Sequence, residues 1–397
     1  MIPHWSPKSW EQRENNYAFH YPDPTLLPAI LKDISQSDPL VTAAEIDNLQ
    51  LDIALAGRGQ AFILQAGDCA EEFHSFASLY VDQQIDLLLK MRAIISQETN
   101  VPVVTIGRIA GQYAKPRTVA YEIRDGLTLP SYQGDLINQP MFNRSSREPN
   151  PNFLMLGYQH AKLTRNLMDQ KLLGHSPSVY TSHEALHLPY EQALTHQING
   201  RWYLLSTHLP WIGVRTAFTD SAHVEFLRGV ENPIGLKVGP NLSPKVLVQL
   251  IERLNPHGIR GRLVLITRIG SELVEGNLPL LINAVAACGI PVTWMCDPMH
   301  GNTVGASTGI KTRHMNTIMR EMHQSMSIHE QMGSIFSGAH FELTAQNVTE
   351  CLGGEIGVTD TDLNNAYHTL VDPRLNNEQS MEIARYLNHF LRNKNYL

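Results

Sequence analysis

Cys69, His300, Glu342 and Asp372 lie far apart in the chain, yet together they make a specific donor set. A soft thiolate with one imidazole and two carboxylates suits a divalent first-row ion such as Mn2+, Co2+, Fe2+ or Zn2+, whereas the harder Mg2+ disfavours sulfur. Taken singly each has a plainer reading: inert core for a Cys, a hydrogen-bonded side chain for a His, a turn for an Asp before Pro. Four cations, Arg108, Arg215, Lys237 and Arg268, pose a second question. Brought to one mouth they would repel one another, so their convergence calls for an anionic substrate. Arg grips phosphate or carboxylate with a bidentate fork, and Lys supplies a compact charge or a proton. Lys115-Pro116-Arg117-Thr118 is a further cluster suited to a second phosphate. Any one of these cations is equally well read as a solvated or structurally paired charge. Whether they converge depends on the elements that carry them.

Those elements alternate. After residue 60, eight short β-rich runs recur, at 61–65, 101–106, 178–182, 202–206, 234–238, 262–267, 291–296 and 334–343. Between them lie stripes of helical period: Val81, Ile85, Leu88 and Leu89; Leu247, Leu250, Ile251 and Leu254 behind Ser243-Pro244; Met315, Ile318, Met319, Met322 and Met326. Strands alternating with amphipathic helices imply parallel βαβ units, and eight units imply a closed (β/α)8 TIM barrel, with an open doubly wound sheet as the alternative. In such a barrel the active site lies at the carboxyl ends of the strands. The residues just past each run are polar: Asp68-Cys69 with Glu71-Glu72, Arg108, His183-Glu184, His208 with Arg215, Lys237, Arg268, Asp297 with His300, and His340 with Glu342. Each of the four cations thus follows a different strand. Cys69, His300 and Glu342 follow the first, seventh and eighth, which are neighbours once the barrel closes, and Asp372 after the last strand is within reach of them.

Residues 1–58 read as a helical leader, in which Thr42-Ala43-Ala44-Glu45 has capping-box spacing and Val41 with Ile46 occupies the hydrophobic-staple positions. Residues 59–397 form the catalytic barrel with a C-terminal extension. Two long connections, 107–151 after the second strand and 344–397 after the eighth, exceed ordinary loops and are expected to be functional.

Composition narrows the function classes. With 43% hydrophobic and 17% charged residues the chain can bury a large core, and a net charge of −7 with no Lys/Arg-rich stretch excludes a nucleic-acid footprint. No apolar run approaches the roughly 18–20 residues that span a bilayer, and residues 1–25 do not read as a signal peptide. Cys69, Cys288, Cys296 and Cys351 are scattered and read as reduced thiols, so a cytoplasmic location is expected.

Several segments carry a likeness to a known family. They are Leu64-Gln65-Ala66-Gly67-Asp68-Cys69-Ala70-Glu71, Gly107-Arg108 through Lys115-Pro116-Arg117, Trp211-Ile212-Gly213 followed by Arg215-Thr216, Gly235-Leu236-Lys237-Val238-Gly239-Pro240 and Thr267-Arg268-Ile269-Gly270. Further on come Cys296-Asp297-Pro298-Met299-His300-Gly301-Asn302-Thr303, Glu342 with Asn347 through Gly354, and Asp372-Pro373-Arg374-Leu375-Asn376. In this order they resemble the motifs of class II (plant-type) DAHP synthases. The resemblance implies the barrel, a metal set of Cys69, His300, Glu342 and Asp372, and a phosphoenolpyruvate site using Arg108, Arg215, Lys237 and Arg268, with the backbone amide of Val214. It also implies an erythrose 4-phosphate site near Lys115, Arg117 and Thr118, manganese as the first expectation for the metal, and a homo-oligomer. Lys237, Arg268 and Cys69 are then expected in the chemistry, Lys237 as the group that manages protons beside the enol phosphate.

Three positions depart from the family pattern. Val214 stands where relatives carry an acidic residue assigned to the water network at carbon 2, Ala66 replaces a glycine, and Val371 replaces a cysteine that in some relatives can pair with the metal-binding one. The short leader resembles forms found with phenazine and other secondary-metabolite pathways, which implies weak feedback control. An amino-DAHP synthase and a catalytically impaired barrel acting as a scaffold are the alternatives.

Overall fold

A computed structural model describes residues 5–73, 78–99, 101–173 and 179–393. Eight parallel strands close into a barrel: β1 (Phe62–Gly67), β2 (Val103–Arg108), β3 (Val179–Glu184), β4 (Leu209–Ile212), β5 (Ile234–Val238), β6 (Leu263–Thr267), β7 (Thr293–Cys296) and β8 (Phe336–Glu342). Helices cover the outside of the barrel and strand side chains fill its interior, so the strands are buried throughout and read as near-continuous apolar runs. Register places the site. Gly67 of β1 pairs with Glu342 of β8 on one side and Arg108 of β2 on the other, so these residues share one level at the carboxyl rim.

The helical stripes face inward as their spacing requires. Val81, Ile85 and Leu88 of helix Ser78–Ser96 are buried, and so are Leu247, Leu250, Ile251 and Leu254 of helix Pro244–Leu254 and Met315, Ile318, Met322 and Met326 of helix Met315–Gln331. Thr42 caps helix Ala43–Ala56: its hydroxyl accepts from Glu45 N at 3.2 Å, and Glu45 Oε2 accepts from Thr42 N at 2.8 Å. Val41 and Ile46 pack in one buried cluster beside it. The same helix lays Leu49, Ile53 and Ala56 against Ile63, Val104, Ile266 and Met295 of the barrel wall. None of the helices among the described residues is long and apolar enough to cross a membrane.

The fourth strand departs from expectation. The run 202–206 lies in an antiparallel hairpin, Thr195–Ile198 with Arg201–Leu204, turned by Asn199 (φ 52°) and Gly200 (φ 81°). Both turn residues have positive φ, the primed turn that Asn-Gly favours. The barrel strand is Leu209–Ile212, short and interrupted by Pro210, which carries no amide hydrogen. His208 therefore precedes β4 at the end of the barrel away from the site, where its Nδ1 accepts from Thr181 N at 2.9 Å. Ser178, the expected start of the third strand, lies outside the described residues.

The connection after β2 holds a second hairpin, Tyr121–Arg124 with Leu127–Pro130, and a short helix, Arg144–Arg147. The connection after β8 returns as helix Asn377–Asn393, whose apolar face joins the cluster that contains Ile85 and Leu88. Because the capping box satisfies two orphan backbone donors of the helix that seals the barrel base, Thr42→Ala is expected to lower stability by about 1 kcal/mol. Urea unfolding measures it, and an unchanged midpoint would mean that packing alone fixes that helix.

Candidate functional site

Glu342 ends β8 fully buried, and cations surround it. Its Oε1 accepts from Lys115 Nζ at 2.7 Å and Arg108 Nη2 at 3.0 Å, and its Oε2 accepts from Arg313 Nη1 at 2.8 Å. Although burial alone would raise it, His300, Lys115, Arg313 and Arg108 hold this carboxyl well below the usual carboxylate range. Cys69, in the loop after β1, and Asp372, brought back by the chain after β8, complete the cluster. Donor atoms of Cys69, Glu342 and Asp372 all lie within 4.8 Å of one another.

The fourth proposed ligand reaches the cluster through Glu342: His300 Nε2 lies 3.0 Å from its Oε1. Asp297 Oδ2 accepts from His300 Nδ1 at 2.7 Å, which orients the ring and points Nε2 at the Glu342 carboxylate. A metal cation placed between Nε2 and Glu342 would be shared by both. Lys115 supplies a positive charge nearby, with Nζ 2.8 Å from Cys69 Sγ, 2.7 Å from Glu342 and 3.2 Å from Asp372. Against the burial that would neutralise it, Cys69, Glu342 and Asp372 keep this ammonium charged, above the ordinary lysine range. Without a metal, burial and the charges of Glu342 and Asp372 push the Cys69 thiol up to about 12. The thiolate therefore needs a strong cation beside it. A soft donor, an imidazole oriented by a carboxylate, two carboxylates and an ammonium standing in for a cation all fit a divalent first-row ion.

The proposed substrate cations share a pocket beside this cluster. Arg108, Lys115, Val214, Arg215, Lys237, Arg268 and His300 all line it. An adjoining cavity shares Lys115, Arg215, Arg268 and His300 and adds Arg117 and Thr118, so the two expected anion positions are neighbours. Arg268 Nη2 donates to His300 O at 2.7 Å, and Arg215 Nη2 donates to Thr118 Oγ1 at 2.6 Å. Arg268 Nε and Arg117 Nη1 are buried donors with no acceptor among the described residues. Arg108 is more fully used: Asp68 O, His340 Nε2, Cys69 O and Glu342 Oε1 take four of the five N–H groups a guanidinium offers. It knits the rim and has one donor left for a ligand. Lys237 lies against Asp297 at 2.5 Å and over the Trp211 ring at 5.9 Å. Burial, helped by Arg108 and Arg268 and opposed by Asp297, pushes its ammonium down to about 8, within reach of proton transfer near neutral pH.

The sequence matches the Class-II DAHP synthetase family over residues 5–176 and 170–388. The chain belongs to that family. It is 38% identical over 415 residues to a phospho-2-dehydro-3-deoxyheptonate aldolase of Streptomyces coelicolor, an alignment covering 92% of each chain. A Neurospora crassa protein of the same name is 35% identical over 450 residues, covering 96% of this chain and 93% of its own. Among solved structures, phospho-2-dehydro-3-deoxyheptonate aldolase from Francisella tularensis SCHU S4 superposes with a TM-score of 0.54 at 16% identity, covering 92% of this chain and 97% of that one, a likeness of fold.

Val214 lines this pocket at the position where the resemblance leads one to expect an acid, and the pocket holds a carboxylate close by. Glu184, at the end of β3, lines the same pocket, and its Oε1 is buried without a hydrogen-bond donor among the described residues. Burial raises this carboxyl even beside Lys115, Arg215 and Lys237. Gly213 makes room for it, since a Cβ there would sit 2.0 Å from Glu184 Oε1. Sequence reading placed Glu184 at a strand end and gave it no role. It missed Arg313 altogether, although that side chain is fully buried against Glu342, Thr303 and Pro373.

Lys115 yields the sharpest expectation. Lys115→Met leaves Cys69, Glu342 and Asp372 without their shared cation, so EDTA-treated variant should lose about 3–5 kcal/mol of stability, the cost of breaking a buried pair. Saturating Mn2+ should recover much of that loss. Urea melts of the metal-free and loaded forms decide it, and equal midpoints for variant and parent without metal would show that the ammonium contributes nothing there.

Proposed function

We propose that this chain condenses phosphoenolpyruvate with erythrose 4-phosphate and water to give DAHP and phosphate, using one divalent ion, with Mn2+ the first expectation. The carrying observation is the contact between two differently built regions. A buried cluster of Cys69, Glu342 and Asp372, reached by His300, adjoins two cation-lined cavities that share Lys115, Arg215 and Arg268. A metal centre alone, or an anion pocket alone, would suit many reactions. Their junction suits one in which an enol phosphate must meet a polarised aldehyde that carries a second phosphate.

Arg215 and Arg268 take the phosphate and carboxylate of phosphoenolpyruvate, with the remaining donor of Arg108 and the backbone amide of Val214. Lys115, Arg117 and Thr118 take the tetrose phosphate. Cys69, His300, Glu342 and Asp372 hold the metal, which when bound supplies Lewis acidity for the aldehyde oxygen. Carbon 3 of phosphoenolpyruvate then bonds to the aldehyde carbon, the oxygen of a water bonds to carbon 2, and the carbon–oxygen bond to phosphate breaks. Glu184 faces the pocket with an unused oxygen and is the carboxylate placed to orient that water. Lys237 holds and moves the proton beside the enol phosphate oxygen. The thiol of Cys69 must stay reduced to act as a ligand, which supports a reducing compartment such as the cytoplasm.

The decisive assay follows loss of phosphoenolpyruvate absorbance in the presence of erythrose 4-phosphate. EDTA should abolish turnover, and Mn2+ or Co2+ should restore it. Undiminished turnover in metal-free buffer, or none with any aldehyde phosphate and any metal, would defeat this reading. Glu184→Gln keeps the shape and removes the charge. Its kcat should fall by about 10²-fold or more, the scale of general-base contributions, with KM for phosphoenolpyruvate changing much less. Val214→Glu should then bring little gain, because a carboxylate already faces that pocket. A large rise in kcat from it would transfer the role to position 214.

A further inference from the structure

The loops after β6 and β7 carry two groups with separate tasks: Arg268 for the anion and His300 for the metal. A buried carboxylate that touches neither ligand fastens these loops together. Glu321, in the middle of helix Met315–Gln331, is fully buried. Its Oε1 accepts from Ile269 N at 3.0 Å and Gly270 N at 2.8 Å, the two residues after Arg268. Its Oε2 accepts from Asn302 Nδ2 at 2.6 Å, two residues after His300. Asn302 closes the link, because its Oδ1 accepts from Ser271 N at 3.0 Å while its Nδ2 also donates to Pro298 O at 2.8 Å. The backbones touch directly as well. A Cβ on Gly301 would lie 2.4 Å from Gly270 N, and Arg268 itself donates to His300 O.

Every bond in this link has a fixed polarity. Glu321 only accepts; Asn302 accepts on one side and donates on the other. The buried chain runs from the amides that shape the Arg268 loop, through one carboxylate and one carboxamide, to the turn that presents His300. We propose that Glu321 and Asn302 are positioning residues that couple anion binding at Arg268 to metal binding at His300, so that each ligand tightens the site of the other. Reciprocity follows from linkage: if the metal improves phosphoenolpyruvate binding, phosphoenolpyruvate improves metal binding by the same factor. This rests on the assignment of Arg268 and His300 made above.

The test measures Mn2+ affinity by titration calorimetry on the full chain, with and without phosphoenolpyruvate and without the aldehyde, so that no turnover is needed. Glu321→Gln keeps the volume and the acceptor for Ile269 and Gly270 but sets its NH2 against that of Asn302. Mn2+ affinity should fall about tenfold, the low end for a partner behind a metal ligand, and the gain brought by phosphoenolpyruvate should shrink toward none. Combining it with Asn302→Asp restores the bond between the two side chains but sets a carboxylate oxygen against Pro298 O, so it should recover only part of the affinity and of the coupling. If Glu321→Gln does not fold, Asn302→Ser, which removes the Asn302 side of the bridge and leaves the bonds of Glu321 to Ile269 and Gly270, should show the same two losses. Parent-like affinity and coupling in Glu321→Gln or Asn302→Ser overturns the proposal. A parent protein that binds no Mn2+ would instead defeat the metal assignment itself.

Discussion

Burial of the Glu342 carboxylate is the constraint on which the rest of the site depends. An ion taken out of water costs several kcal/mol unless its partners are close and well oriented, so an acid at the end of an inner barrel strand dictates what surrounds it. Lys115, Arg108 and Arg313 approach it from three separate segments. Those same side chains then define the cluster: Lys115 reaches Cys69 and Asp372, Arg108 grips the backbone of Asp68 and Cys69, and Arg313 bonds to Pro373 O beside Asp372. One buried charge thus draws the loop after β1, the loop after β2 and the returning chain after β8 to a single point.

The same economy recurs around the rim. Glu71 accepts from the amides of Ala110, Gly111 and Gln112, tying the Cys69 loop to the loop that carries Lys115. Glu350 accepts from the amides of His368, Thr369 and Arg374, which fixes the turn bearing Asp372, while Arg374 crosses to Asp68. Buried carboxylates that accept several backbone amides hold irregular loops more firmly than apolar contact does, because each bond has a direction as well as an energy. A site built on loops gains from them the rigidity that its scaffold strands already have.

Much of this was legible because parallel barrels write themselves plainly. A fully buried strand is an apolar run, and the polar residues that follow it are the rim, so Cys69, Arg108, Lys237, Arg268, His300 and Glu342 could be placed from spacing alone. β4 was not legible. Leu209–Ile212 is short and contains Pro210, whereas the nearby aromatic run 202–206 looks more like a strand; only the Asn199-Gly200 pair betrayed its hairpin. Arg313 sits in a short connection with no periodic signal, and its burial is set by a partner 29 residues away in sequence. Glu321 hides within a methionine stripe, where a single acid reads as a solvated helix position until the fold turns it inward. Interactions that depend on a partner from another strand leave no local trace.

The proposed metal centre rests on one soft ligand among harder ones, and Co2+ reports on it directly. A cobalt ion bound by a thiolate shows an intense near-ultraviolet charge-transfer absorption that oxygen and nitrogen ligands alone do not give. Titrating metal-free protein with Co2+ should produce that band, saturating at one ion per chain, and Cys69→Ser should abolish it while the fold persists. Stoichiometric binding without the band, or a band that survives in Cys69→Ser, would contradict a centre built on Cys69, His300, Glu342 and Asp372.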